Sequence, residues 1–238
     1  MMTRLCAEAL RAGIEEDYVR QLIRKRKLLP EDPAIEAWPW SVRIYTLGHF
    51  KVVIDDQVIT ETRAQSKPLA LLEALIALGG AEVRVDRVAE ILWPDAEGDA
   101  AISAFTTTAS RLRKLIGEEA IVVKGGRVSL DERRCWLDVR TLERQFGQAD
   151  KIDRKDTAIR ECAEKLLDLY RGPFLGDEEG QWSQRLRHRL REKFARCLAQ
   201  CVITLRAAGE REEAARLLEK AMDVDPDAVD RYRELMVI

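Results

Sequence analysis

The spacing of apolar positions changes period several times along the chain. Leu5, Ala9 and Leu10, then Tyr18, Val19, Leu22 and Ile23, fall at helical intervals. This predicts a helical N-terminal segment over 1–29, as two short helices broken at Gly13. Pro30 and Pro33 follow, and Trp38-Pro39-Trp40 comes next. Prolines this close together forbid a continuous helix, so 30–41 reads as a Pro-rich linker.

Across 42–138 the pattern moves from strands to helices and back. Val42–Gly48 and Phe50–Ile54 read as strands, and Asp55-Asp56 as a turn into a short strand Val58–Thr60. A helix is expected from about Pro68 to Leu78, with Ser66 as its N-cap and Gly79-Gly80 as its stop. A second begins after Asp86 and ends near Trp93, because Pro94 follows. A third begins after Asp99, read as an N-cap, and ends at Gly117. Two apolar-biased runs, Ile121–Lys124 and Arg127–Leu130, flank Gly125-Gly126, a strong hairpin signal. Residues 139–238 are nearly all helical, with helices expected at 139–147, 157–170, 181–207, 210–222 and 227–236. Arg171–Gly176 breaks the run. The expected fold class is mainly α, with a small α+β domain at 42–138 and an all-α helical domain at 139–238.

The third helix of the middle zone carries the candidate chemistry. Ile102, Phe105, Ala109, Leu112 and Ile116 form its expected core stripe. The opposite face holds Ser103, Thr106, Thr107, Ser110, Arg111 and Lys114, with Arg113 beside it. No acid lies between Ala100 and Ile116, in a chain with 42 acidic residues among 238. Short hydroxyl side chains let a helix lie deep in the DNA major groove, and arginine can fork onto guanine. On the helix alone, a solvated face with incidental bases fits equally well. Its neighbours tilt the reading. Lys124 and Arg127 bracket the Gly-Gly turn, where a cation can grip phosphate or enter the minor groove. Arg63 and Lys67 precede the first helix, whose N-terminal amides also favour phosphate.

The order sheet, three helices and hairpin resembles the winged-helix domain of OmpR-type regulators. More narrowly, it is similar to that of the Streptomyces antibiotic regulatory protein family. The matching residues are Arg43-Ile-Tyr-Thr-Leu-Gly48, Lys67-Pro-Leu-Ala-Leu-Leu-Glu-Ala-Leu75, Val88-Ala-Glu-Ile-Leu-Trp-Pro94 and Ser110-Arg-Leu-Arg-Lys-Leu-Ile-Gly117. The resemblance implies a recognition helix at Ala100–Ile116, a wing at 121–130, and a loop at Asp95–Asp99 that can meet RNA polymerase. Leu169-Tyr-Arg-Gly-Pro-Phe-Leu175, followed by Trp182 and the Leu186–Leu190 helix, resembles the bacterial transcriptional activator domain found behind this winged helix. Ala207–Pro226 fits one tetratricopeptide repeat, with small residues at Ala207, Ala208, Ala215 and Ala221 for close helix packing. The family domain continues with further helices, and Leu5–Leu29 resembles the tail of a preceding helical segment. The resemblance therefore implies an incomplete activator-like domain: either the chain is a piece of a larger regulator, or the apolar edge of Tyr232, Leu235, Met236 and Val237 pairs with a partner.

Composition narrows the alternatives. The net charge is −2, so any DNA binding must come from local segregation of charge. The five cysteines are odd in number and widely spaced, no secretory segment precedes them, and no run suits a membrane span. A reducing cytoplasm is expected. Cys197 and Cys201 would share a helix face, but the two histidines, His49 and His188, supply no metal set. No catalytic motif and no phosphate loop is found, so neither enzyme activity nor a cofactor is expected. The expected partners are double-stranded DNA, RNA polymerase, and a second copy through the helical domain, with no membrane. The competing reading is a non-catalytic helical-repeat adaptor without specific DNA binding.

Overall fold

The computed structural model describes all residues except 34, 60–64, 150–157, 177, 179 and 227–238. The chain divides into two compact units. One joins Met1–Ile44 to Lys51–Leu137, and the other joins Tyr45–Phe50 to Asp138–Ile238. Neither unit is a single stretch of sequence.

The first unit opens with α1 (Met2–Arg11) and α2 (Glu16–Arg26), which pack on each other around Cys6, Ala7, Leu10, Val19 and Ile23. Leu5 and Tyr18, expected on the apolar stripe, are exposed instead. The stretch read as a linker is packed chain: Ile35, Trp38 and Trp40 are buried, and the Trp40 indole donates to the Ile35 carbonyl at 2.9 Å. Its prolines stop helix formation, but its aromatic mass has too much apolar surface to stay in water.

A four-stranded sheet follows, in the order β3-β2-β1-β7, built from β1 (Val42–Tyr45), β2 (Lys51–Ile54), β3 (Gln57–Val58) and β7 (Cys135–Leu137). The β2–β3 turn places Asp55 and Asp56 at φ 46° and 64°, a left-handed pair that Asp tolerates better than most residues. Strand β7 pairs parallel to β1, with Val42 opposite Cys135 and Ile44 opposite Leu137.

At the core lies α3 (Ser66–Ala77), in which Leu71, Leu72, Ala74 and Leu75 have no exposed surface. A helix apolar on all sides must be enclosed. It packs against both α4 (Val85–Leu92) and α5 (Gly98–Ile116). Two caps differ from expectation. Gln65, not Ser66, precedes α3, and Glu97, not Asp99, precedes α5; neither makes a side-chain cap. Pro68 lies in the first turn of α3, where its missing N–H leaves no helical bond unmade. Asp99 instead lies within the first turn of α5, where a negative charge suits the helix dipole. A second, three-stranded sheet of order β4-β6-β5 comprises β4 (Val83–Arg84), β5 (Ile121–Lys124) and β6 (Arg127–Leu130).

The second unit is helical, with α6 (Asp138–Ala149), α7 (Ala158–Leu169), α8 (Gln181–Ala207) and α9 (Arg211–Val224) packing as successive neighbours. The helix expected at 227–236 lies outside the described residues. Residues 45–50 are stitched into this unit. The buried Asp138 carboxylate accepts from the Thr46 N–H at 2.7 Å, the Thr46 hydroxyl at 2.7 Å, the Leu47 N–H at 2.9 Å and the Val139 N–H at 2.7 Å. Burial pushes this carboxyl above its ordinary range, and the four donors pull it back. Gly48 and Gly172 meet so closely that a Cβ on Gly172 would lie 3.0 Å from the Gly48 Cα. Arg187 donates to the Phe174 carbonyl at 2.8 Å and also to the carbonyls of Leu175 and Glu178, fixing the break between α7 and α8. Buried Asp225 accepts two bonds from Arg191, at 2.8 and 2.9 Å, and Tyr170 stacks on Phe194 at 4.1 Å. In the α8–α9 hairpin the small residues that pack are Ala214 and Ala221. Ala207, Ala208 and Ala215 are exposed, because they fall at the turn or on the outer face.

Candidate nucleic-acid interface

The face of α5 is set by its periodicity. Ala101, Phe105, Thr108, Ala109, Leu112 and Ile116 are buried. Ser103, Thr106, Thr107, Ser110, Arg111 and Lys114 are all exposed, and their intervals of three and one put them on one side. Ile102 departs from the expected core stripe and is 40% exposed. At about 100° per residue it sits roughly 60° off the stripe, and Ala101 takes the inward position. The Thr106 hydroxyl donates to the Ile102 carbonyl at 2.9 Å, a common resting state for helical threonine. The sequence reading of an acid-free helix needs one amendment, since α5 begins at Gly98 and so includes Asp99.

The wing follows directly. Lys124 pairs with Arg127 across the hairpin, and Gly125 and Gly126 turn the chain at φ 56° and 70°. Two successive positive φ values define the turn whose twist matches a β-ribbon. The Gly126 carbonyl accepts from the Val85 N–H at 2.9 Å, which ties the turn to the start of α4. Lys124 is exposed. Arg127 is exposed but engaged: it donates to the Glu82 carbonyl at 2.8 Å and lies 3.9 Å from the Glu82 carboxylate.

Two further contacts left no sequence signal. Arg113, half-buried, donates to the Ile121 carbonyl at 2.9 Å and joins the end of α5 to the start of the wing. Arg84 forks onto Asp86, with Nε 3.0 Å from Oδ1, and this hydrogen bond holds the Asp86 carboxyl below the ordinary carboxylate range. Strand β4, which positions that pair, is two residues long and leaves almost no periodic signal. The remaining predicted bases stand differently. Lys67 is exposed, yet its ammonium reaches the Leu92 carbonyl at 3.3 Å and lies 5.9 Å from the Trp93 ring centroid, an arrangement that caps α4. Arg63 lies outside the described residues.

Among the described residues, no group of three or more His, Cys, Asp or Glu is placed to hold a metal ion. Cys6, Cys135, Cys162, Cys197 and Cys201 are free thiols, all buried. No described helix is long and apolar enough to cross a membrane.

Residues 137–237 match the family model of the bacterial transcriptional activator domain. The regulatory protein AfsR of Streptomyces griseus is 27% identical over 173 residues, which are 70% of this chain and 17% of AfsR. AfsR of Streptomyces coelicolor is 27% identical over 168 residues, 68% of this chain and 16% of that protein. The chain therefore spans about a sixth of the length of these curated relatives. Among solved structures, Mycobacterium tuberculosis EmbR in complex with a low-affinity phosphopeptide is similar with a TM-score of 0.63 at 18% identity, covering 83% of this chain and 54% of EmbR. That is a likeness of fold.

The second, helical part of the chain is thus similar to a bacterial transcriptional activator domain. Over 68–70% of its length, the chain is similar to these Streptomyces regulatory proteins.

Proposed function

We propose that this chain is a sequence-specific DNA-binding transcription regulator, an activator, acting in the cytoplasm. In this reading α5 enters the major groove and presents Ser103, Thr106, Thr107, Ser110, Arg111 and Lys114 to bases and phosphates. The wing tip at Lys124 and Arg127 contacts the neighbouring backbone or minor groove. Lys67, and Arg63 beside it in sequence, are secondary phosphate contacts. The observation that carries the reading is the arrangement of α5: all six polar and basic residues are exposed on one side, and the paired Lys124–Arg127 tip follows in the same unit. The helical unit would serve self-association and contact with RNA polymerase, as in the family it resembles. A near-neutral chain with few free cations should bind weakly as a single copy, so pairing on repeated sites would raise affinity.

The test is binding to duplex DNA, selected from a random pool, across a salt series. Phosphate contacts release counterions, so the six basic residues named above predict a log–log slope of up to about −5. Binding that stays flat as salt rises would leave the non-catalytic adaptor as the better account.

A further inference from the structure

On the proposed reading, α5 occupies the major groove and the wing tip the adjacent minor groove. In B-DNA one sugar–phosphate strand always separates those two grooves. That strand must pass between α5 and the wing, so the surface joining them has to receive it.

The structure has an open groove of about 530 Å³ at that place. Its most exposed apolar side chains are Ile102 on α5, at 40% exposure, and Val123 on β5, at 38%, with Val85, Phe105 and Thr106 also lining it. Gly125 and Gly126 keep the wing side free of bulk. The charged residues on its rim are already partnered: Arg84 with Asp86, and Arg127 with Glu82. An apolar floor beneath neutralised ion pairs is a poor cradle for a phosphate, which calls for free donors. It suits the apolar face of a deoxyribose, which has no hydroxyl at its 2′ carbon. A ribose there would place its 2′-hydroxyl on the minor-groove side, against the wing.

We infer that the groove between Ile102 and Val123 is a deoxyribose subsite, which seats one sugar of the strand that α5 and the wing straddle and rejects a ribose at that position. Ile102 and Val123 are thereby specificity-determining residues for DNA over RNA at one step of the strand. Free phosphate recognition stays with Lys114 and Lys124.

The experiment uses the full chain and a duplex selected from a random pool, with single ribonucleotides introduced at successive positions of each strand. Burying a hydroxyl against an apolar surface predicts a roughly tenfold loss of affinity at one or two adjacent positions. The same positions carrying 2′-fluoro-2′-deoxynucleotides keep a ribose-like pucker without a donor and should bind as DNA does. Val123→Thr, close to isosteric, should remove most of the ribose penalty. A penalty spread evenly over all positions, one that 2′-fluoro reproduces, or one that Val123→Thr leaves intact overturns the subsite while DNA binding itself stands. A wild-type chain that shows no salt-dependent DNA binding overturns both readings.

Discussion

Arg113 donates from Nε to the carbonyl of Ile121 at 2.9 Å, so the last turn of α5 and the first residue of the wing are held by one hydrogen bond. The two elements proposed to meet DNA are thereby set relative to each other by a half-buried side chain. Arg113→Ala should leave the fold intact, at a cost of about 1–2 kcal/mol for a charged hydrogen bond. Affinity should fall without a change in base preference, since the wing loses its register but α5 keeps its side chains. Selection from a random pool with this variant checks it; a changed consensus would count against the separation of roles.

Arg111 and Lys124 should part company in their effects. Arg111→Ala is expected to cost about 1–3 kcal/mol at one base position and to relax preference there. Lys124→Ala should weaken every sequence about evenly and lower the salt slope by about one. Competition titrations against single-base variants of the selected site distinguish the two patterns.

The wing turn depends on conformation, not space. A Cβ on Gly126 meets nothing within 4 Å, but its φ of 70° is left-handed. Gly126→Ala should destabilise the hairpin by about 1–2 kcal/mol. Gly126→Asn should cost less, because Asn tolerates that region. Thermal melts of the two variants give the comparison; equal losses would point to a steric cause.

Asp138 anchors residues 45–50 in the second unit. Asp138→Ala leaves the Thr46 and Leu47 N–H groups buried without an acceptor, and each such loss costs about 1–3 kcal/mol. A drop of roughly 3 kcal/mol or more is expected in urea unfolding.

Acid should weaken the second unit. A hydrogen bond from Lys165 holds Glu161, and one from Arg216 holds Glu213, below the ordinary carboxylate range. Each group binds a proton less readily folded than unfolded. Its stabilisation is therefore present at neutral pH and lost as pH falls through the folded value. The melting temperature should start to drop only below about pH 5, and Glu213→Gln should flatten part of that drop.

Much of this architecture was legible where local chemistry and tertiary need agree. The bounds of α8 at Gln181 and Ala207 coincide with the periodic run, and Gly125-Gly126 could hardly be anything but a tight turn. The exposed face of α5 followed from its residue types alone. What escaped was decided at a distance. Strand β7 is three residues that become a strand only because β1 is there to pair with them. Ile102 has a core residue's chemistry, but the helix axis aims it at the groove beside the wing. Trp38 and Trp40 sit among prolines, a linker's signature, yet they are buried. Lys67 and Arg127 looked like free cations, and their backbone partners are 25 and 45 residues away in sequence.

The hydrogen bonds between Asp138 and the Thr46–Leu47 backbone have a consequence for heredity as well as stability. The activator-type module matched at 137–237 takes six of its residues, Tyr45–Phe50, from inside the opening sheet of the other unit. A gene rearrangement cut at the start of α6 would deliver a module with a hole in it. A fragment that keeps this unit whole must therefore carry Tyr45–Phe50 along with the helices.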